Sequence, residues 1–188
     1  MKRIQYNSPV VLTFVLISFL TLVLGNFTDN TTTLALFSVY RSSPTNPLTY
    51  VRLFGHVLGH ANFEHFFNNL VLLLLLGPAL EEKYGAKTMI YMIAFTALIT
   101  GIAHMVFSPN SALLGASGIV FMFMLLSSFV NIQKGRIPLT LVICVVVFLG
   151  RELYFSFAYD NNISQFTHIL GGICGGIFGF YINRKKTA

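Results

Sequence analysis

The 188-residue chain has no tryptophan, two cysteines and six acidic residues, and charged side chains make up only 10% of it. Each scarcity excludes something. So few charges cannot clothe the surface of a soluble domain, and 55% hydrophobic residues with a mean hydropathy of +0.73 exceed what one soluble core takes up. Cys144 and Cys174 both fall in apolar runs, where a thiol acts as a small apolar group, so no disulfide framework is expected. The apolar runs also lack the two-residue alternation of a barrel strand. What the chain does contain is continuous apolar sequence. A bilayer-spanning helix takes about 20 mostly apolar residues, and six segments qualify, at 9–24, 63–80, 86–107, 114–130, 137–155 and 165–182. The expected fold is an all-α membrane bundle of six transmembrane helices, forming one domain over residues 1–188 with a long outer first loop at 26–61.

The net charge of +6 is distributed by topology. Lys2 and Arg3, Lys83 and Lys87, Lys134 and Arg136, and Arg184 to Lys186 occupy every second connection, which by the positive-inside rule predicts cytoplasmic termini. This pattern points to anionic lipid headgroups as the counter-charge and argues against a nucleic-acid partner. The start imitates a signal peptide, but Gly25-Asn26-Phe27 is no small-x-small cleavage site, so a retained first helix is expected. Within the first loop, the apolar clusters 34–37 and 48–58 predict packing against the bundle at the outer membrane interface. Asn62 and Gly85 are placed to cap the second span, whereas Glu81, Glu82 and Lys83 read as a solvated helix end.

Ionisable groups at membrane depth are costly, so His65, His104, Arg151, Glu152 and His168 each need a partner, a water cavity or an interfacial position. Gly115-Ala116-Ser117-Gly118 puts a hydroxyl at the head of an apolar span, between glycines that permit close approach. A helix start also offers unpaired N–H groups to a developing oxyanion. His168 lies near the start of another span running in the same direction, at similar depth, where a neutral imidazole could take the serine proton. After it, Gly171, Gly175 and Gly179 form a smooth stripe at four-residue spacing. Each feature also has a plain structural reading, as a helix-packing face with a backbone-bonded histidine. His56, His60, His65 and Asn69 lead into the second span, and His65 and Asn69, one turn apart, could both donate to one oxygen. Three histidines could instead ligate zinc, but the one nearby carboxylate, Glu64, would face away from His65 on a helix. His104 reads as structural.

With these elements in order on six spans, the chain resembles the rhomboid family of intramembrane serine proteases over nearly its whole length. The resemblance implies Ser117 as nucleophile and His168, followed by Gly171, as base. It implies an oxyanion hole of His65, Asn69 and the Ser117 N–H, with Gly115, Gly118, Phe121, Gly175, His56 and His60 in support. No metal or cofactor is implied, and the implied partners are transmembrane protein substrates and the lipid bilayer. Two positions depart from the family's pattern. Val51-Arg52 stands where members often have Trp-Arg, and Phe121 replaces a tyrosine found in some members, keeping the ring and losing the hydroxyl. The compact six-span form suggests a bacterial cytoplasmic membrane. The other classes consistent with such a chain are a non-catalytic rhomboid-like binder of membrane proteins and a small transporter.

Overall fold

The computed structural model describes residues 6–108, 110–129, 136–158 and 162–186. The expectations for Lys2, Arg3 and Lys134 lie outside these residues, as do those for the side chains of Arg151, Glu152, Arg184, Lys185 and Lys186. The described chain is helical: α1 Pro9–Phe27, α2 Thr31–Leu36, α3 Pro47–Gly55, α4 Phe63–Tyr84, α5 Ala86–Phe107, α6 Ser117–Ser127, α7 Leu139–Ala158 and α8 Asn162–Lys186, with a 3₁₀ turn at His56–Leu58 after α3. Among the described residues the sole β-type pairing is an isolated bridge between Val39 and Leu113. α1, α4 and α5 are long and apolar enough to cross a membrane, and α6 and Phe166–Tyr181 of α8 are shorter apolar helices.

Local chemistry sets the helix ends. Asn62 Oδ1 accepts from the His65 N–H at 2.8 Å, capping α4, which runs four residues beyond its expected end to Tyr84. Gly85 stops it because its φ of +83° is a conformation that L side chains rarely adopt. α1 begins at Pro9, where a missing N–H costs nothing, and its next two N–H groups donate to a distant acceptor. The two Glu81 carboxylate oxygens take Val10 N–H and Val11 N–H, each at 3.0 Å. The expectation of a solvated Glu81 is therefore corrected: the residue is buried and caps a helix 70 positions earlier, while Glu82 is exposed.

α6 is the central element. Ile119, Val120, Phe121, Met122 and Phe123 are buried in succession, so the helix has no solvent- or lipid-facing stripe and must be enclosed by neighbours. α4, α5, α7 and α8 surround it. It starts at Ser117, three residues later than the sequence suggests, because Leu113 is held in the bridge to Val39 and Gly115 has a φ of +124°. α7 starts at Leu139, after Pro138, and α8 starts at Asn162.

α8 packs on α6 more closely than any other pair of helices. A Cβ on Gly171 would run into the Gly118 carbonyl, and one on Gly175 into the Met122 carbonyl. Backbone therefore lies against backbone along this seam, which only the glycine stripe permits.

The first loop is a structured scaffold built of α2, α3 and the 3₁₀ turn, as its apolar clusters predict. Arg52, buried on α3, donates from Nε to the Ala35 carbonyl at 2.8 Å and lies 4.5 Å over the Tyr40 ring, tying α3 to the α2 segment. Thr21 Oγ1 donates to the Leu58 carbonyl at 2.7 Å, fixing the turn to α1.

Candidate active site

Segments of α4, of α6 and the loop before it, of α7 and of α8 meet at one cavity of about 610 Å³. His65, Asn69, Ser117, Phe121 and His168 line it, together with Ile143 and Cys144 of α7. His168 Nε2 is 2.8 Å from Ser117 Oγ, although the residues are 51 positions apart. Both side chains are half-buried. The separation follows from the α6–α8 seam: one turn past His168, Gly171 rests on Gly118, the residue after Ser117. Phe121, one turn along α6 from Ser117, sets its ring 4.6 Å from that of His168 at 42°, limiting how far the imidazole can swing.

The loop before Ser117 is held by the first loop. Gly115 N–H donates to the His56 carbonyl at 2.9 Å, and Leu113 and Val39 exchange N–H···O bonds at 2.8 Å. The His56 ring is buried, with Nδ1 donating to the Arg52 and Leu53 carbonyls at 3.2 and 3.1 Å and Nε2 3.4 Å from Thr100 Oγ1. His60 Nδ1 donates to the Leu58 carbonyl at 3.2 Å, and its ring meets the His65 ring edge-on at 5.1 Å. Burial pushes the His56 imidazole down to about 4, with the Arg52 and Leu53 carbonyls pulling weakly the other way and His104 adding to the depression. Burial likewise lowers His60 to about 4, helped by His65 and opposed by the Leu58 carbonyl. Both first-loop rings are thus neutral near pH 7.

A Cβ on Gly115 would lie 2.7 Å from the His65 ring and 3.9 Å from Asn69 Nδ2, so His65 and Asn69 close over the backbone just ahead of Ser117. Asn69 Nδ2 donates one proton to the His65 carbonyl at 3.1 Å and keeps a second. Ala116 supplies no side-chain cap to α6, leaving the first-turn N–H groups of Ser117 and Gly118 without an intrahelical partner. The arrangement can polarise a serine hydroxyl and offer several donors to an oxygen nearby. His104 is elsewhere, its Nε2 3.1 Å from the Ser111 carbonyl. No group of three or more His, Cys, Asp or Glu side chains suited to a metal ion occurs among the described residues.

Two parts of this apparatus escape a reading of the sequence. Thr100, against the His56 ring and 3.4 Å from a Cβ on Gly118, carries no motif signal. The Val39–Leu113 bridge is foreshadowed only by the apolar character of the first loop.

Fold and site together define an integral membrane protein with a hydrogen-bonded serine and histidine facing a cavity walled by helices. The sequence model of the Rhomboid domain matches residues 47–185, most of the chain, and the protein belongs to the rhomboid family. It is similar to mouse "Rhomboid-related protein 2", 28% identical over 157 residues covering 73% of this chain and 52% of that protein. It is 29% identical over 141 residues to "Putative rhomboid protease YdcA" of Bacillus subtilis, covering 72% of this chain and 68% of the relative. A third relative, "Rhomboid-related protein 1" of Caenorhabditis elegans, is 29% identical over 143 residues, covering 70% of this chain and 39% of its own length. The match thus takes in about half of the mouse protein, about two thirds of the Bacillus protein and about two fifths of the worm protein.

Proposed function

We propose that this protein is an intramembrane serine endopeptidase of six spans, formed by α1 and α4 to α8 as one domain, which cuts transmembrane helices of other membrane proteins near the outer membrane boundary. The observation that carries the reading is the 2.8 Å approach of His168 Nε2 to Ser117 Oγ inside a cavity of about 610 Å³. A serine hydroxyl alone is a weak nucleophile, and a neutral imidazole at this distance accepts its proton as the oxygen attacks. The substrate peptide carbonyl becomes an oxyanion, for which the Asn69 amide, the His65 ring and the Ser117 N–H are the donors. His168 then delivers its proton to the leaving amine, and water, activated by the same ring, releases the acyl group from Ser117. No carboxylate is required, since a serine–histidine pair is one of the accepted nucleophile–base arrangements.

An intact helix hides its carbonyls in internal hydrogen bonds, so the substrate must unwind locally before it is cut. The basic connections set the proposed orientation, with both termini in the cytoplasm of a bacterial cell.

The test uses detergent-solubilised protein and a generic single-span substrate, with Ser117→Ala and His168→Ala alongside. Cleavage should vanish in both variants, and a fluorophosphonate probe should label Ser117 alone. Cleavage surviving in Ser117→Ala would move the nucleophile elsewhere, and a blank wild-type assay with no labelling would favour a membrane-protein binder.

A further inference from the structure

A second concavity lies away from the catalytic cavity and shares no lining residue with it. It encloses about 440 Å³ between α1, α3 and α5, with Val10, Thr13 and Ile17 on one wall, Ile90 and Ala94 on the other, and Phe54 of α3 above. Ile17, Phe54 and Ile90 are 40%, 45% and 55% exposed, so these large apolar side chains have no protein partner over much of their surface.

We propose that this groove seats one acyl chain of an anionic glycerophospholipid, with Lys87 meeting the phosphate. The length of the groove selects the occupant. From Pro9 to Ile17 on α1 the wall rises about 12 Å at ~1.5 Å per residue. The 3₁₀ turn then closes it, since Leu58 lines the groove and its carbonyl is bonded to Thr21, one turn above Ile17. A hydrocarbon core is about 30 Å thick, so the groove runs less than half-way across and stops. A partner transmembrane helix would collide with α3, whereas a lipid tail from one leaflet ends where the groove does.

The open end selects the headgroup. Lys87 is exposed, one turn before Ile90 and two before Ala94 on the same face of α5, and its long stem lets the ammonium reach headgroup level. α5 has no side-chain cap at that end, so its free N–H groups add positive potential. The nearby Glu81 carboxylate is occupied by Val10 N–H and Val11 N–H. Tyr6 is exposed with its hydroxyl 3.5 Å from Thr13 Oγ1, which puts a phenol at the mouth of the groove, where aromatic side chains favour the membrane interface.

The absence of tryptophan makes a direct test available. Phe54→Trp places a single fluorophore over the groove, and Leu75→Trp places a control fluorophore on an exposed face of α4 that lines no part of the groove. Each variant is reconstituted in phosphatidylcholine vesicles with increasing fractions of chain-brominated phosphatidylglycerol or chain-brominated phosphatidylcholine, which quench on contact. In Phe54→Trp the brominated phosphatidylglycerol should quench with roughly five-fold higher apparent affinity, the preference expected of one lysine near an anionic headgroup. Lys87→Gln in the same background should abolish that preference, and the control fluorophore should show none with or without Lys87. Equal quenching of the groove fluorophore by the two lipids, or a preference that survives Lys87→Gln, overturns the proposal. If Phe54→Trp does not fold, native mass spectrometry of the wild type and Lys87→Gln in an equimolar lipid mixture decides: retention of phosphatidylglycerol by the wild type only supports the site, and retention by both or neither refutes it. Neither readout depends on proteolysis, so this inference and the proposed activity fail separately.

Discussion

At the scale of single residues, Asn69 and His104 make a useful contrast, since each is a polar side chain on an apolar helix. Asn69 lines the cavity with one amide proton engaged by the His65 carbonyl and one left over. If that proton reaches the oxyanion, Asn69→Ala should lower turnover on the order of 10²-fold, with thermal stability little changed. An unchanged kcat would remove Asn69 from the site. His104 spends its ring on the Ser111 carbonyl, so His104→Gln should leave most activity intact, measured in the same assay. His65, Asn69, Ser117 and His168 are singled out in the sequence by the order of their motifs taken together with the resemblance to the rhomboid family, since each spacing alone also fits plain helix packing. Glu81 is not legible there, because a carboxylate next to Glu82 and Lys83 at a helix end looks solvated until the partner helix start is seen.

At the scale of elements, the α6–α8 seam determines whether the serine and histidine meet. Gly171 and Gly176 lie on the same helix and predict opposite outcomes. A Cβ at Gly171 would strike the Gly118 backbone, which cannot rotate away as a side chain could, so Gly171→Ala should push α8 outward. Reduced fluorophosphonate labelling of Ser117 and a lower Tm are expected together. A Cβ at Gly176 meets nothing within 4 Å, so Gly176→Ala should keep labelling and gain roughly 0.5–1 kcal/mol from the better helix former. The cap of α1 belongs to this scale too. Glu81→Ala removes the acceptor of two N–H groups and should cost about 1 kcal/mol, the usual worth of a lost N-terminal cap. A Tm equal to that of the wild type would deny the cap any energetic role.

At the scale of the whole molecule, the buried histidines of the first loop link folding to pH. His56 and His60 have pKa values of about 4 in the folded protein, against 6.5 for an exposed imidazole. Above pH 6.5 both are neutral whether or not the loop is folded, and the stability is at its plateau. Between 6.5 and 4 the unfolded chain binds protons that the folded chain does not, so stability falls with acidification and levels off again below about 4. Thermal unfolding in detergent between roughly pH 8 and pH 5 should therefore show a falling Tm, and the slope should shrink in His60→Gln. A flat profile would mean that these rings are hydrated in solution.

Hydropathy alone announces a helical membrane protein, because the cost of exposing backbone polar groups to lipid leaves few folds open to runs this long and this apolar. Local patterns are readable too: Asn62 and Gly85 act through neighbours within a turn, and the glycine stripe of α8 shows as a regular spacing on one helix face, although the backbone it packs against belongs to another helix. The tertiary structure alone decided what depends on residues far apart in the chain. It brought Glu81 to the start of α1, locked Val39 to Leu113, hung Gly115 on the His56 carbonyl and set His168 against Ser117. Hydrogen bonds of 2.8 to 3.0 Å demand sub-ångström placement of separate helices, and that precision comes from side-chain packing across the bundle, which one-dimensional spacing does not encode.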